Sequence, residues 1–308
     1  MRYNLLVSGG AGYLGSILVP MLLDRDHHVT ILDNFMYGQT SLAECCADPN
    51  FTIIRGDCRD MNMVNELLKD ADFFIPLAAI VGAPVCDRDP GLAWEVNYKA
   101  IADHMSKKTC PTIMPMTNSG YGIGGDGACT EDSPLNPLSV YGRSKVEAEK
   151  AVLDYDGVTL RFATLMGISQ RMRFDLLVND FCRRAVQDRF VILFEARFRR
   201  NYLHVRDAAL AILFAIENFE QMKGRPYNVG LPDANLTKWE LCERIKLQVP
   251  DFFFVEAAIG GDPDKRNYSI SNERILATGW RPRYSLDDSI AELIRAIPIY
   301  KSLQWQNV

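Results

Sequence analysis

Two short stretches of this 308-residue chain hold the residue types from which chemistry is built: Tyr141-Gly142-Arg143-Ser144-Lys145 and Gly9-Gly10-Ala11-Gly12-Tyr13-Leu14-Gly15. Tyr141 and Lys145 stand four positions apart, so a helix over residues 141–155 raises both side chains from one face toward a shared site. A free phenol titrates near ~10, and a neighbouring ammonium together with a positively charged nicotinamide ring favours its phenolate. That combination is a base suited to taking the proton from an alcohol while the alcohol is oxidised. The pair alone also fits an ordinary exposed helical turn, and the glycine run is what gives it weight. Gly9, Gly12 and Gly15 follow an apolar run at residues 3–7, where a strand turns sharply into a helix over about residues 13–23 that includes Tyr13 and Leu14. Lacking side chains, the glycines let backbone N–H groups approach a pyrophosphate, whose charge the helix N-terminus favours. A second apolar run, residues 28–32, leads into Asp33-Asn34, with Asp33 eighteen positions beyond Gly15. A carboxylate there accepts hydrogen bonds from an adenosine ribose and repels a 2′-phosphate, which favours NAD over NADP.

The elements needed to position these groups are legible as apolar runs at residues 3–7, 28–32, 52–55, 73–77, 112–116 and 158–162, with helical segments between them. That alternation predicts an α/β fold, a doubly wound parallel Rossmann sheet, over an NAD-binding domain of residues 1–165. Beyond Phe162 the pattern becomes irregular, with Gly167, an arginine-rich stretch over residues 171–200, and prolines at 226, 232, 250 and 263. Residues 166–308 therefore read as a smaller, mainly substrate-binding C-terminal domain, from which about residues 201–220 return to the first domain as a strand and helix.

Composition narrows the class of protein. A chain that is 48% hydrophobic and 24% charged is not disordered, and a net charge of −5 with a pI near 5.5 gives no electrostatic case for nucleic acid or an anionic membrane. No apolar stretch approaches a membrane span, and the first strand begins without a charged-then-apolar leader. Eight cysteines, including adjacent Cys45-Cys46 and no C-x-x-C pair, read as reduced cytoplasmic thiols and match no zinc spacing, so no metal is assigned.

With these residues placed, the chain resembles the extended short-chain dehydrogenase/reductase family, in particular its NAD-dependent nucleotide-sugar epimerase and dehydratase group. The resemblance spans nearly the whole length. It rests on the glycine loop, Asp33, Arg55-Gly56-Asp57, Leu77-Ala78-Ala79, Asn97, residues 117–122, Tyr141/Lys145 and residues 200–207. It implies NAD as cofactor, a nucleotide-diphosphate sugar as substrate, and a homodimer built from the helix around residues 94–105 and the Tyr141 helix. Asp57 would contact the adenine, with Cys58 beside it. Leu77, Ala78 and Ala79 would line the nicotinamide side, and Lys145 would also hold the nicotinamide ribose. Thr117 would be the third catalytic residue, its hydroxyl on the reacting sugar oxygen, with Ser119 as the competing candidate. Asn118 and Ser119 would touch the sugar, while Asn179, Arg200 and Arg266 would touch the diphosphate. Arg171, Arg173, Arg183, Arg184 and Arg189 stay open between ligand contact and a solvated face.

The two residues after Thr117 bear on the reaction. The 4,6-dehydratases of the family carry an Asp-Glu pair there and the decarboxylating members a Glu, whereas this chain has Asn118 and Ser119. An amide and a hydroxyl do not exchange protons near neutral pH as a carboxylic acid does. The expectation is therefore hydride transfer at C4 without elimination, as a 4-epimerase or a 4-dehydrogenase. The alternatives are a 4-keto-sugar reductase or a non-catalytic NAD-binding regulator. Residues 79–86 and Gly120 depart from the commonest epimerase pattern and look more like a branch acting on unusual nucleotide sugars of surface polysaccharide, among them GDP-heptose 4-dehydrogenases.

Overall fold

The computed structural model describes residues 1–107, 110–125, 127–261 and 266–300. Six apolar runs form strands β1 (Asn4–Ser8), β2 (His28–Asp33), β3 (Phe51–Arg55), β4 (Phe73–Pro76), β5 (Ile113–Thr117) and β6 (Val158–Phe162). Alternate side chains of β1 enter opposite layers: Leu5 and Val7 pack with helix Gly15–Leu23, and Leu6 with Val64 and Leu68 of helix Met61–Leu68. Burial on both faces is why the inner runs are continuously apolar rather than alternating, whereas β3, at the sheet edge, leaves Thr52, Ile53 and Arg55 exposed.

The strands pair in parallel in the order β3-β2-β1-β4, and β5-β6 continue the sheet through a parallel bridge between Phe74 and Thr112. Residues Pro226–Val229 add a seventh parallel strand on β6, with Tyr227 opposite Leu160. The order reverses between β1 and β4, and the crevice at the carboxyl ends of those strands is where such folds bind ligands. Helices Gly15–Leu23 and Val205–Glu217 pack together over one face, and helices Val140–Leu153 and Ala100–Met105 over the other.

The division of the chain differs from the expected one. The returning segment extends past residue 220 to Val229, because strand Pro226–Val229 completes the main sheet. The remaining structure consists of short strand pairs, Phe190–Leu193 with Phe253–Glu256 and Arg199–Arg200 with Leu236–Thr237, and helices Leu177–Gln187, Lys238–Gln248 and Leu286–Ala296. One apolar cluster runs from Leu5 and Val7 to Ile290 and Leu293, so this smaller region shares its core with the sheet. Pro263 and the last eight positions of the expected second domain, residues 301–308, lie outside the described residues.

Candidate active site

The carboxyl ends of the strands open into a cleft of about 540 Å³. It is lined by Gly9, Gly12, Tyr13, Leu14 and Gly15 after β1, by Asp33 and Asn34 at the end of β2, by Asp57 and Cys58 after β3, and by Leu77, Ala78 and Ala79 after β4. The same cleft is lined by Thr117, Ser119, Tyr141, Lys145 and Arg266. Every expected cofactor residue therefore faces one crevice, together with the three expected catalytic residues.

The glycine turn fits a dinucleotide sterically. Gly9 has φ +72°, and a side-chain carbon on it would overlap the backbone of Ala78; one on Gly15 would overlap the backbone of Gly10. Larger residues would fill the turn that lines the cleft just ahead of helix Gly15–Leu23, whose N-terminal end favours an anion. At the end of β2, Asp33 is 7% exposed and accepts from the N–H groups of Ala11 at 3.0 Å and Phe35 at 2.8 Å, so its carboxylate is oriented by the turn itself. Burial pushes its carboxyl above the usual range, and those two N–H bonds oppose the rise. Asp57 is gripped by Arg59, whose side chain donates at 3.0 and 2.6 Å and holds the carboxyl below its ordinary value. Burial raises the Cys58 thiol to about 11, so it presents a neutral surface to the cleft.

The elements that carry Thr117, Tyr141 and Lys145 are set by caps and a buried amide. Ser139 caps helix Val140–Leu153 by accepting from the N–H of Gly142 at 3.1 Å, which places Tyr141 in its first turn and Lys145 one turn later. Asn97, fully buried in a wide π-helical turn, bonds both the N–H and the carbonyl of Ile80 and donates to the Ser144 hydroxyl at 3.2 Å. It therefore ties the Ala79-Ile80 wall to the Tyr141 helix. Thr117 is the last residue of β5, and its hydroxyl lies 2.9 Å from that of Ser119, to which Arg266 also donates.

Electrostatics set the protons. Burial raises the Tyr141 phenol above its ordinary value, while the guanidiniums of Arg173 and Arg266 and the Thr117 hydroxyl pull it back. The cations that temper the phenol thus include Arg173, which spacing alone does not assign. Lys145 is 4% exposed, and burial lowers its ammonium to about 8 against the opposing pull of Glu149. A lysine whose folded pKa is depressed binds fewer protons folded than unfolded, so stability rises with pH across that window. Between about pH 8 and 10 the Lys145 contribution alone rises by on the order of 2 kcal/mol, while the thiols of Cys58, Cys86, Cys182 and Cys242, which burial raises, pull the other way. Urea titrations of wild type and Lys145→Met at several pH values isolate it: the difference in stability between the two should move toward wild type by that amount from about pH 8 to 10.

Three expected substrate contacts stand behind the cleft wall. Asn118 is fully buried, and its amide donates to the Arg161 carbonyl at 3.0 Å and accepts from the Ala163 N–H at 3.2 Å. Asn179 accepts from the Gly167 N–H at 3.0 Å and donates to the Arg173 carbonyl at 2.9 Å, holding the loop that follows β6. Arg200 is 2% exposed and packs over the Tyr268 ring at 5.7 Å, so it backs a cleft residue without lining the cleft. Asn118 also donates to the Asn228 amide oxygen at 3.2 Å, Asn179 to the Tyr13 phenol at 3.3 Å, and Arg200 to the Arg199 carbonyl at 2.9 Å. Conversely, Arg171 and Arg173 do line the cleft, Arg173 paired with Asp175 at 2.5 Å. Their signal was the alternation Arg171-Met172-Arg173-Phe174, in which Met172 and Phe174 are buried core and the two arginines share the other side. Arg183 and Arg184 pair with Asp180 on their own helix.

Residues 5–230 match the sequence profile of the NAD dependent epimerase/dehydratase family. The chain belongs to that family. It is 29% identical over 93% of its length to a low-salt glycan biosynthesis protein of Haloferax volcanii, 96% of which is covered. It is 28% identical to a UDP-glucose 4-epimerase of Corynebacterium glutamicum, with 92% of each chain covered. The fold superposes on a dTDP-glucose 4,6-dehydratase of Bacillus anthracis, solved with NAD, at a TM-score of 0.81 and 22% identity over 98% of both chains. This is accordingly an NAD-dependent α/β enzyme of the short-chain dehydrogenase/reductase type. No helix among the described residues is long and apolar enough to cross a membrane, and none of their His, Cys, Asp and Glu side chains cluster as a metal site.

Proposed function

We propose that this enzyme moves a hydride at C4 of a nucleotide-activated sugar, as a 4-epimerase or a 4-dehydrogenase supplying surface-polysaccharide precursors in the cytoplasm. The observation that carries this reading is the convergence of Thr117, Tyr141 and Lys145 on the NAD cleft with Asn118 and Ser119, not carboxylates, next to Thr117. NAD, when bound along the glycine turn and Asp33, supplies the hydride acceptor. Tyr141 takes the proton of the sugar hydroxyl, Thr117 holds the same oxygen, and Lys145 steadies the cofactor ribose and the phenolate. Ser119 and Arg266 stand beside Thr117, where a fixed cation favours negative charge on that oxygen. With no acid and base beside Thr117 to expel water, the oxidised sugar is returned on its other face or released.

The test is mass spectrometry of dinucleotide released on denaturation, followed by incubation with UDP-, GDP-, CDP- and dTDP-sugars. An isomeric product with NAD retained identifies the epimerase; a product two mass units lighter with NADH accumulating identifies the dehydrogenase. Consumption of NADH by a keto sugar identifies a reductase, and a product lighter by one water overturns the reading. The active form is taken as a homodimer through helices Val140–Leu153 and Ala100–Met105, which pack side by side with Trp94 and Tyr98 half-buried beside them. A monomer mass by light scattering at micromolar concentration overturns that.

A further inference from the structure

The segment that follows strand Thr164–Met166 is laced to the glycine turn. The Ser169 hydroxyl donates to the Tyr13 carbonyl at 2.7 Å and lies 2.7 Å from the Ser16 hydroxyl, and the Tyr13 phenol donates to the Gly167 carbonyl at 2.6 Å. The Arg171 N–H donates to Ser169 at 3.3 Å and Ser16 at 3.4 Å, so its backbone is pinned against the first turn of helix Gly15–Leu23. From there its side chain lines the cleft and ends with the guanidinium carbon 4.5 Å from the ring centroid of Tyr37, in the loop after β2. It therefore spans from the glycine turn to the loop beyond Asp33, which is the path between the pyrophosphate cradle and the adenosine ribose. The Arg171 guanidinium donates to the Met172 carbonyl at 2.6 Å and stands over Tyr37 in the same cleft as the glycine turn, where a planar fork suits a pyrophosphate.

We propose that Arg171, resting on Tyr37, clamps the pyrophosphate of NAD from the second region of the protein and so retains the cofactor in the cleft. Arg171 is only 4% exposed, and burial with the nearby Arg173 charge holds its guanidinium below the usual value, a cost that a bound anion offsets. The contact concerns the cofactor alone and holds whichever sugar is the substrate.

A ligand ladder tests this on the whole chain freed of nucleotide: adenosine, AMP, ADP-ribose and NAD, each titrated by calorimetry into wild type, Arg171→Met and Tyr37→Leu. Arg171→Met is expected to weaken ADP-ribose and NAD by roughly 10- to 100-fold, the worth of a charge-assisted hydrogen bond, while adenosine changes less than about twofold. Tyr37→Leu removes the platform and leaves the charge, so the same two ligands weaken by about threefold. Should Arg171→Met fail to fold, Arg171→Lys serves in its place, keeping charge but losing the paired geometry, with an expected loss of about fivefold. Equal loss across all four ligands, or unchanged NAD binding with weakened UDP or GDP, overturns the proposal; the second outcome would assign Arg171 to the diphosphate of the sugar nucleotide.

Discussion

Tyr141→Phe is expected to lower turnover of the sugar identified by the panel by about 10³-fold, the scale of a lost general base, while NAD binding changes less than about threefold. The ring keeps its place because the Ser139 cap and the buried Asn97 amide, not the phenolic oxygen, position the helix. Cofactor titration and steady-state rates on the same preparation separate the two effects. A non-catalytic NAD-binding regulator would show the same NAD affinity and no functional change, so an active Tyr141→Phe variant would sink the enzymatic role assigned to this phenol.

Arg161→Met is expected to cost about 3–5 kcal/mol of stability, because it strands a buried carboxylate. The Arg161 and Glu149 side chains are 5% and 2% exposed and meet at 2.9 Å. The same guanidinium donates to the Tyr121 phenol at 2.8 Å and the Glu131 carbonyl at 3.0 Å, and Tyr121 donates to Asn228 on the seventh strand at 2.7 Å. This network lies directly behind Asn118 and ties β5, β6 and strand Pro226–Val229 together. Glu149→Gln should lose a similar amount. The double change Arg161→Met with Glu149→Met should lose less than either single change, since removing both charges leaves neither one unpaired. Urea midpoints at constant slope measure all three; a double variant less stable than each single one would contradict the electrostatic account.

The inner strands were legible because each is an apolar run buried between two helical layers, the exposed edge strand β3 because it keeps Phe51, Ile53 and Ile54, and the glycine turn because its spacing answers to a steric need at Gly9 and Gly15. Strand Pro226–Val229 escaped notice because Pro226, Tyr227, Asn228 and Val229 form a short run with a polar residue at its centre. Asn228 is buried there only because Tyr121, Cys129 and Ser271 bring partners from elsewhere in the chain. Asn118, Asn179 and Arg200 sit at positions where a ligand contact and a backbone tie look the same in one dimension. Which of the two occurs depends on how the loops fold back. Arg171 and Arg173 pose the opposite case, since an arginine-rich stretch suggests solvent until Met172 and Phe174 are seen to be core.

The seventh strand also has a consequence for how the protein is made. During synthesis, the β6 edge that Pro226–Val229 covers has no partner until some sixty residues after Phe162 have followed it into the open. A nascent chain in that interval presents a bare apolar strand edge, which is the kind of surface that pairs with its neighbours. Ribosome-bound chains halted before residue 226 should therefore be sensitive to protease and held by chaperones, and chains halted well beyond the seventh strand should be compact.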